Sequence, residues 1–143
     1  MNLFIDIDGV LLGKAPHSPQ PQLANEAEVF LKFCLKHFDF DCYWLTTHCK
    51  GDASTALDYL APYMQPSVAT LAAKIQPSTF KTFKTEALFG DFICIDDQPT
   101  AYELQVLEEK DWLVRWFEVN TRKNLNALIG LVPLLEQRLS KQI

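Results

Sequence analysis

The sequence has no apolar run long enough to cross a bilayer. No basic segment precedes its first apolar residues, and an acid arrives at position 6, so no secretory signal is expected. It has four cysteines, Cys34, Cys42, Cys49 and Cys94, and no Cys-x-x-Cys pair. Reduced thiols and a cytoplasmic location are therefore expected, rather than a disulfide framework. A zinc site from Cys42, His48 and Cys49 would match no common ligand spacing. Basic residues are outnumbered, 13 Lys and Arg against 18 Asp and Glu, for a net charge of −5. That balance argues against a generic polyanion-binding surface, though not against a local basic patch. Internal repeats, low-complexity tracts and linkers are also missing. What remains, at 143 residues with 48% apolar and 22% charged, fits an ordinary globular chain forming a single domain over 1–143.

Apolar strand-like runs alternate with helical patterns. Residues 2–7 read as a buried strand, and 10–22, with Pro16, Pro19 and Pro21, as a loop. A helix is expected over 23–38, where Val29, Phe30, Phe33 and Cys34 recur at helical spacing. The aromatic run 40–46 predicts a strand, 53–61 a helix stopping before Pro62, and 67–71 a short strand. Further on, 80–89 reads as a short helix, 92–95 as a strand, 100–110 as a helix and 113–119 as a last strand. From Asn124 a helix is expected to stop at Gly130, with Pro133 opening another. The leucines of this tail are read as a stripe covering the sheet rather than a partner helix, and the three tryptophans as core.

Such alternation predicts a mainly parallel sheet in a three-layer α/β/α sandwich of Rossmann-like type. Ligands in these folds bind beyond the carboxyl ends of the strands. Polar residues gather at three of those ends: Asp6-Ile7-Asp8-Gly9, Thr46-Thr47-His48 and Asp96-Asp97-Gln98. In an extended chain residues i and i+2 point the same way, so Asp6 and Asp8 would face one space, joined there by Asp96 or Asp97. Clustered carboxylates repel unless a cation lies among them or a pKa rises. An all-oxygen set of this charge suits Mg²⁺. Gly9 would let the chain turn sharply out of the strand.

Asp-Ile-Asp-Gly-Val at 6–10, Trp-Leu-Thr-Thr at 44–47, a downstream lysine and Cys-Ile-Asp-Asp-Gln at 94–98 resemble, in order, the four motifs of the haloacid dehalogenase-like hydrolases. Most members of that superfamily are phosphatases. The resemblance implies that Asp6 attacks phosphorus and forms an aspartyl-phosphate, and that Asp8 serves as general acid and base. It implies that Thr46, or Thr47 one position on, binds the phosphoryl group, with Gly9 beside it. It implies a lysine that neutralises nucleophile and phosphoryl group, for which Lys84 comes before Lys81 and Lys74. Asp6, the main-chain carbonyl of Asp8, Asp96 and Asp97 would hold Mg²⁺. The segment 9–21 would be the flap that follows the first strand.

The two connections that carry an inserted cap domain in larger members are short here, so a minimal cap or none is expected. An open site of that kind suits a phosphorylated small molecule or macromolecular end, or a lid supplied by a second subunit of a homo-oligomer. No membrane or strong nucleic-acid signal accompanies it. Two other classes remain at this stage: a receiver-like phosphoacceptor domain, which the order of the acidic motifs disfavours, and a non-catalytic binding module of the same fold. His48 is read as a surface-loop histidine at the rim of the site.

Overall fold

The structure is a computed structural model, and it describes residues 1–49 and 51–141. Four strands form one parallel sheet: β1 (Asn2–Ile5), β4 (Cys42–Trp44), β5 (Phe92–Asp96) and β6 (Trp116–Glu118), in the order β4-β1-β5-β6. In register, Leu3 lies opposite Cys42 and Ile93, and Ile5 opposite Trp44 and Ile95. Strands in the middle of a parallel sheet are covered on both faces, which is why β1 and β5 are almost wholly apolar. A small antiparallel pair, β2 (Leu12–Gly13) with β3 (Gln22–Leu23), closes the loop that follows β1.

The two faces of the sheet are covered unequally. Leu3, Ile5, Trp44, Ile93 and Ile95 pack under four helices: α1 (Ala27–His37), α2 (Ala53–Leu60), α3 (Pro66–Ala72) and α5 (Ala127–Ser140). On the other face Phe4, Leu45, Phe92 and Cys94 pack with Trp112 and Trp116 under a single 3-10 turn, Lys84–Ala87. Helix α4 (Ala101–Glu109) packs against that turn, completing the third layer. The architecture is therefore the three-layer α/β/α, Rossmann-like sandwich. No helix among the described residues is long and apolar enough to cross a membrane.

Several elements differ from their expected form. Residues 67–71 are helical, within α3, because Pro66 fits the first helical position and Val68 and Ala72 bury one turn apart. The expected 80–89 helix shrinks to the 3-10 turn, since Glu86 spends its carboxylate on the amides of Lys81, Thr82 and Phe83 and holds them in a loop. Leu113–Arg115 is another 3-10 turn, so the last strand is only Trp116–Glu118. The tail is one helix: α5 runs through both Gly130 and Pro133. Both residues lie on its exposed side, where water can satisfy the carbonyl freed by the proline, while Leu128, Leu131 and Leu135 anchor the opposite side.

Candidate active site

The carboxyl ends of β1, β4 and β5 meet at one edge of the sheet. Asp6 follows β1, and its amide still donates to the Ile95 carbonyl at 3.0 Å, so the ladder fixes its backbone. Its side chain is buried, with one carboxylate oxygen accepting from the Ile7 amide at 2.8 Å. Asp96, the last residue of β5, is wholly buried and accepts from the Asp97 amide at 2.7 Å. Between them stands Lys84, whose Nζ donates to Asp6 Oδ2 at 2.8 Å and to Asp96 Oδ2 at 2.9 Å. Carboxylate oxygens of Asp6, Asp96 and Asp97 lie within 4.8 Å of one another.

Burial and the neighbouring Asp6 charge push Asp96 up to about 7, with Lys84 partly opposing. Burial also raises Asp6, against the hydrogen bond to Asp96 and the charge of Lys84. Lys84 loses hydration, but the two carboxylates outweigh that loss and hold its ammonium above the ordinary range. A single ammonium serves two buried carboxylates, so a further cation at their free lone pairs is electrostatically favoured. The donors are all hard oxygens, with no thiol or imidazole among them, and this fits Mg²⁺.

Asp8 stands apart from that group. The alternation expected to aim Asp6 and Asp8 into one space ends with the strand at Ile5, and residues 7–10 turn, with the Val10 and Leu12 amides both on the Ile7 carbonyl. The Asp8 carboxylate is held by side chains from elsewhere: Tyr59 Oη of α2 donates to Oδ1 at 2.6 Å, and His48 Nε2 lies 2.9 Å from Oδ2. The rings of His48 and Tyr59 stack, 3.6 Å between centroids and 11° apart in plane. This pairing serves Asp8 in either protonation state. The carboxylate accepts from Nε2–H, and the acid donates to Nε2 of the other tautomer. Burial and the Asp8 contact raise the Tyr59 phenol to about 12, so it remains a donor.

Gly9 follows at φ +79°, where a Cβ would come within 2.7 Å of the Asp97 side chain, so glycine is needed for both conformation and space. Thr46 is buried, and its hydroxyl oxygen accepts from the His48 amide at 3.2 Å, which leaves the hydroxyl hydrogen free to donate. Thr47 is exposed beyond it. Of the three candidate lysines, only Lys84 reaches the carboxylates. Lys81 is exposed, and Lys74 lies over the Phe40 ring at 5.8 Å. Cys42 donates its thiol to the Cys34 carbonyl, and no metal-type cluster joins it to His48 and Cys49 among the described residues.

Four residues of the site escape the sequence reading. His48 is not a bare rim residue but a partner of Asp8, and Tyr59 and Arg122 carry no local signal at all. Arg122 approaches Asp97 Oδ2 at 3.4 Å and Asp8 Oδ1 at 4.0 Å. Glu103 does have a signal, the Thr100-x-x-Glu103 capping box. Thr100 Oγ1 accepts from the Glu103 amide, and Glu103 Oε1 accepts from the Thr100 amide. Its other oxygen accepts from the Lys84 amide at 2.7 Å, so the cap of α4 positions the backbone of the site lysine. Compared with protein-family models, curated proteins and solved structures, the chain matches none of them.

Proposed function

We propose that this chain is a Mg²⁺-dependent phosphomonoester hydrolase that works through an aspartyl-phosphate on Asp6. The observation that carries the reading is the Asp6–Lys84–Asp96 bridge at the carboxyl edge of a parallel sheet, with Asp97 beside it. A carboxylate is a weak nucleophile, and here its direction is fixed by the sheet ladder, the Ile7 amide and Lys84. Asp6, Asp96 and Asp97 would hold Mg²⁺, which when bound supplies neutralisation of phosphoryl charge.

In the first half-reaction an Asp6 oxygen bonds to phosphorus as the bond to the leaving oxygen breaks. Asp8 gives that oxygen a proton. In the second, Asp8 takes a proton from water as the water oxygen bonds to phosphorus, freeing phosphate and the Asp6 carboxylate. Lys84 balances charge on Asp6 throughout, and the free hydroxyl hydrogen of Thr46 is available to the phosphoryl group. Among the described residues the connections from β1 to β4 and from β4 to β5 hold only short elements, with no inserted domain over the edge.

The test is direct. Purified protein with Mg²⁺ should release phosphate from simple phosphomonoesters, lose that activity in chelator and regain it with Mg²⁺. Full turnover in chelator would sink the mechanism. A long-lived phosphoprotein after acetyl phosphate, without turnover, would favour a phosphoacceptor domain instead.

A further inference from the structure

Asp8 opens onto a cavity of about 180 Å³ that Asp6, Lys84 and Asp97 do not line. Its walls are Tyr59, Leu12, Pro19 and Pro21, and its charged groups besides Asp8 are Lys14 and Arg122. A second cavity, about 320 Å³, adjoins it, shares Lys14 and Arg122, and adds Lys123 with Asn25, Asn124 and Asn126. No acid lines the second cavity, and Asp8 is the only acid on the first. Three cations thus stand together in a chain whose net charge is −5. Neither Lys14 nor Lys123 makes an ion pair among the described residues, while Arg122 faces Asp97 at 3.4 Å with one terminal nitrogen and Asp8 at 4.0 Å with the other.

These cations are carried on backbone that is already fixed. The Thr121 amide donates to the Gly9 carbonyl at 2.8 Å, and the Lys14 amide donates to the Thr121 carbonyl at 3.4 Å. Gly13 packs so closely on Thr121 that a Cβ there would collide with the Thr121 carbonyl oxygen. The loop after β1 and the loop after β6 are clasped, and Lys14 and Arg122 project from the two sides of the clasp.

The geometry points to a subsite for a second anionic group, a phosphate or a carboxylate, on the leaving portion of the substrate. The inference rests on the phosphatase reading for its direction. A general acid stands beside the leaving oxygen, so a cavity lined by Asp8 and not by Asp6 receives the leaving group rather than the transferred phosphoryl. The Tyr59, Leu12 and proline walls take the apolar link, and Lys14 and Arg122 take the far anion through charge-assisted hydrogen bonds.

Butyl phosphate, 4-(phosphonooxy)butanoate and butane-1,4-diyl bisphosphate share one ester and differ at the far end only. With Mg²⁺, kcat/KM should be about tenfold or more higher for an anionic far end than for butyl phosphate, as a charged hydrogen bond warrants. The bisphosphate is first corrected for its two equivalent ends. Whichever of carboxylate and phosphate gains more identifies the group. Lys14→Gln and Arg122→Gln should each cut the preference to about threefold or less, and Lys36→Gln, on the exposed side of α1, should keep it. A wild-type preference near unity, or one kept in both variants, overturns the subsite. If the wild type hydrolyses none of the three, the phosphatase reading fails, and calorimetry with the bisphosphate and butyl phosphate decides the subsite alone. Tighter binding of the bisphosphate that Lys14→Gln removes retains it; equal binding overturns it too.

Discussion

Asp6 leaves the sheet with 5% of its side chain exposed, while Asp8, two residues later, has 32% exposed. The first is fixed by ladder backbone and a partly buried ammonium; the second is held by Tyr59 and His48, which arrive from the chain beyond β4. The same side chain is thus placed twice, once in a rigid dry setting and once in a wet, adjustable one. A nucleophile needs the first, because its direction sets the rate. A group that must take and give protons needs the second, with solvent and a tautomeric partner in reach. The pair differs by environment rather than by chemistry.

Replacing Asp6 should break the comparison most completely. Asp6→Asn is expected to drop turnover by more than ~10⁴-fold and to leave no borohydride-trappable acyl phosphate, since no carboxylate remains to attack. Trapped phosphate on another residue would move the nucleophile elsewhere. Asp8→Asn should fail selectively. Alkyl phosphates, whose leaving oxygen needs a proton, should lose ~10²–10⁴-fold, and activated aryl phosphates far less. Equal losses on both would mean that Asp8 serves structure only.

Lys84→Met tests the dry half. Breaking a buried charge pair costs about 3–5 kcal/mol when its partners stay charged. Burial and the Asp6 charge already raise Asp96 to about 7, and without the ammonium both carboxylates rise further. Raised carboxylates make the folded state bind protons that the unfolded chain releases, so stability falls as pH climbs from the unfolded value toward the folded one. The variant should therefore lose much more stability at pH 8 than at pH 5 in denaturant melts. A pH-independent loss would mean that the three groups are not coupled.

The smallest of the four effects is reversible. Mg²⁺ at 100 times its dissociation constant should stabilise the fold by about 2.7 kcal/mol. The gain should shrink as pH falls below about 7, because protons then compete for Asp96. Asp96→Asn should abolish the Mg²⁺ shift, and an undiminished shift in that variant would remove Asp96 from the metal set.

Much of the dry half was legible in the sequence. Strand-end carboxylates follow apolar runs, and a parallel sheet leaves one edge for them. The lysine came with rivals, because a lone lysine carries no pattern, and it took the Glu103 strut from α4 to show why Lys84 points inward. The wet half was mostly illegible. Tyr59 lies 51 positions from Asp8 and Arg122 sits in the last β–α loop, and neither belongs to a local pattern. The same limit explains the errors in the elements. Residues 67–71 read as strand although Pro66 opens a helix there, and Gly130 with Pro133 read as a break because solvent on one side of α5 is invisible in the sequence.

The clasp between the Gly9–Lys14 loop and Thr121 has a temporal side. The proposed nucleophile precedes Thr121 by most of the chain, and Gly9 and Lys14 beside it gain these two hydrogen bonds only when Thr121 follows. β1 likewise waits for β5, its neighbour on one side. Contacts this distant in sequence form late and slow the search for the fold. A nascent chain paused between α4 and β6 would carry the acids of the edge without the Arg122–Lys123 loop that borders it. The border of the proposed site is begun at the turn out of β1 and closed only after β6.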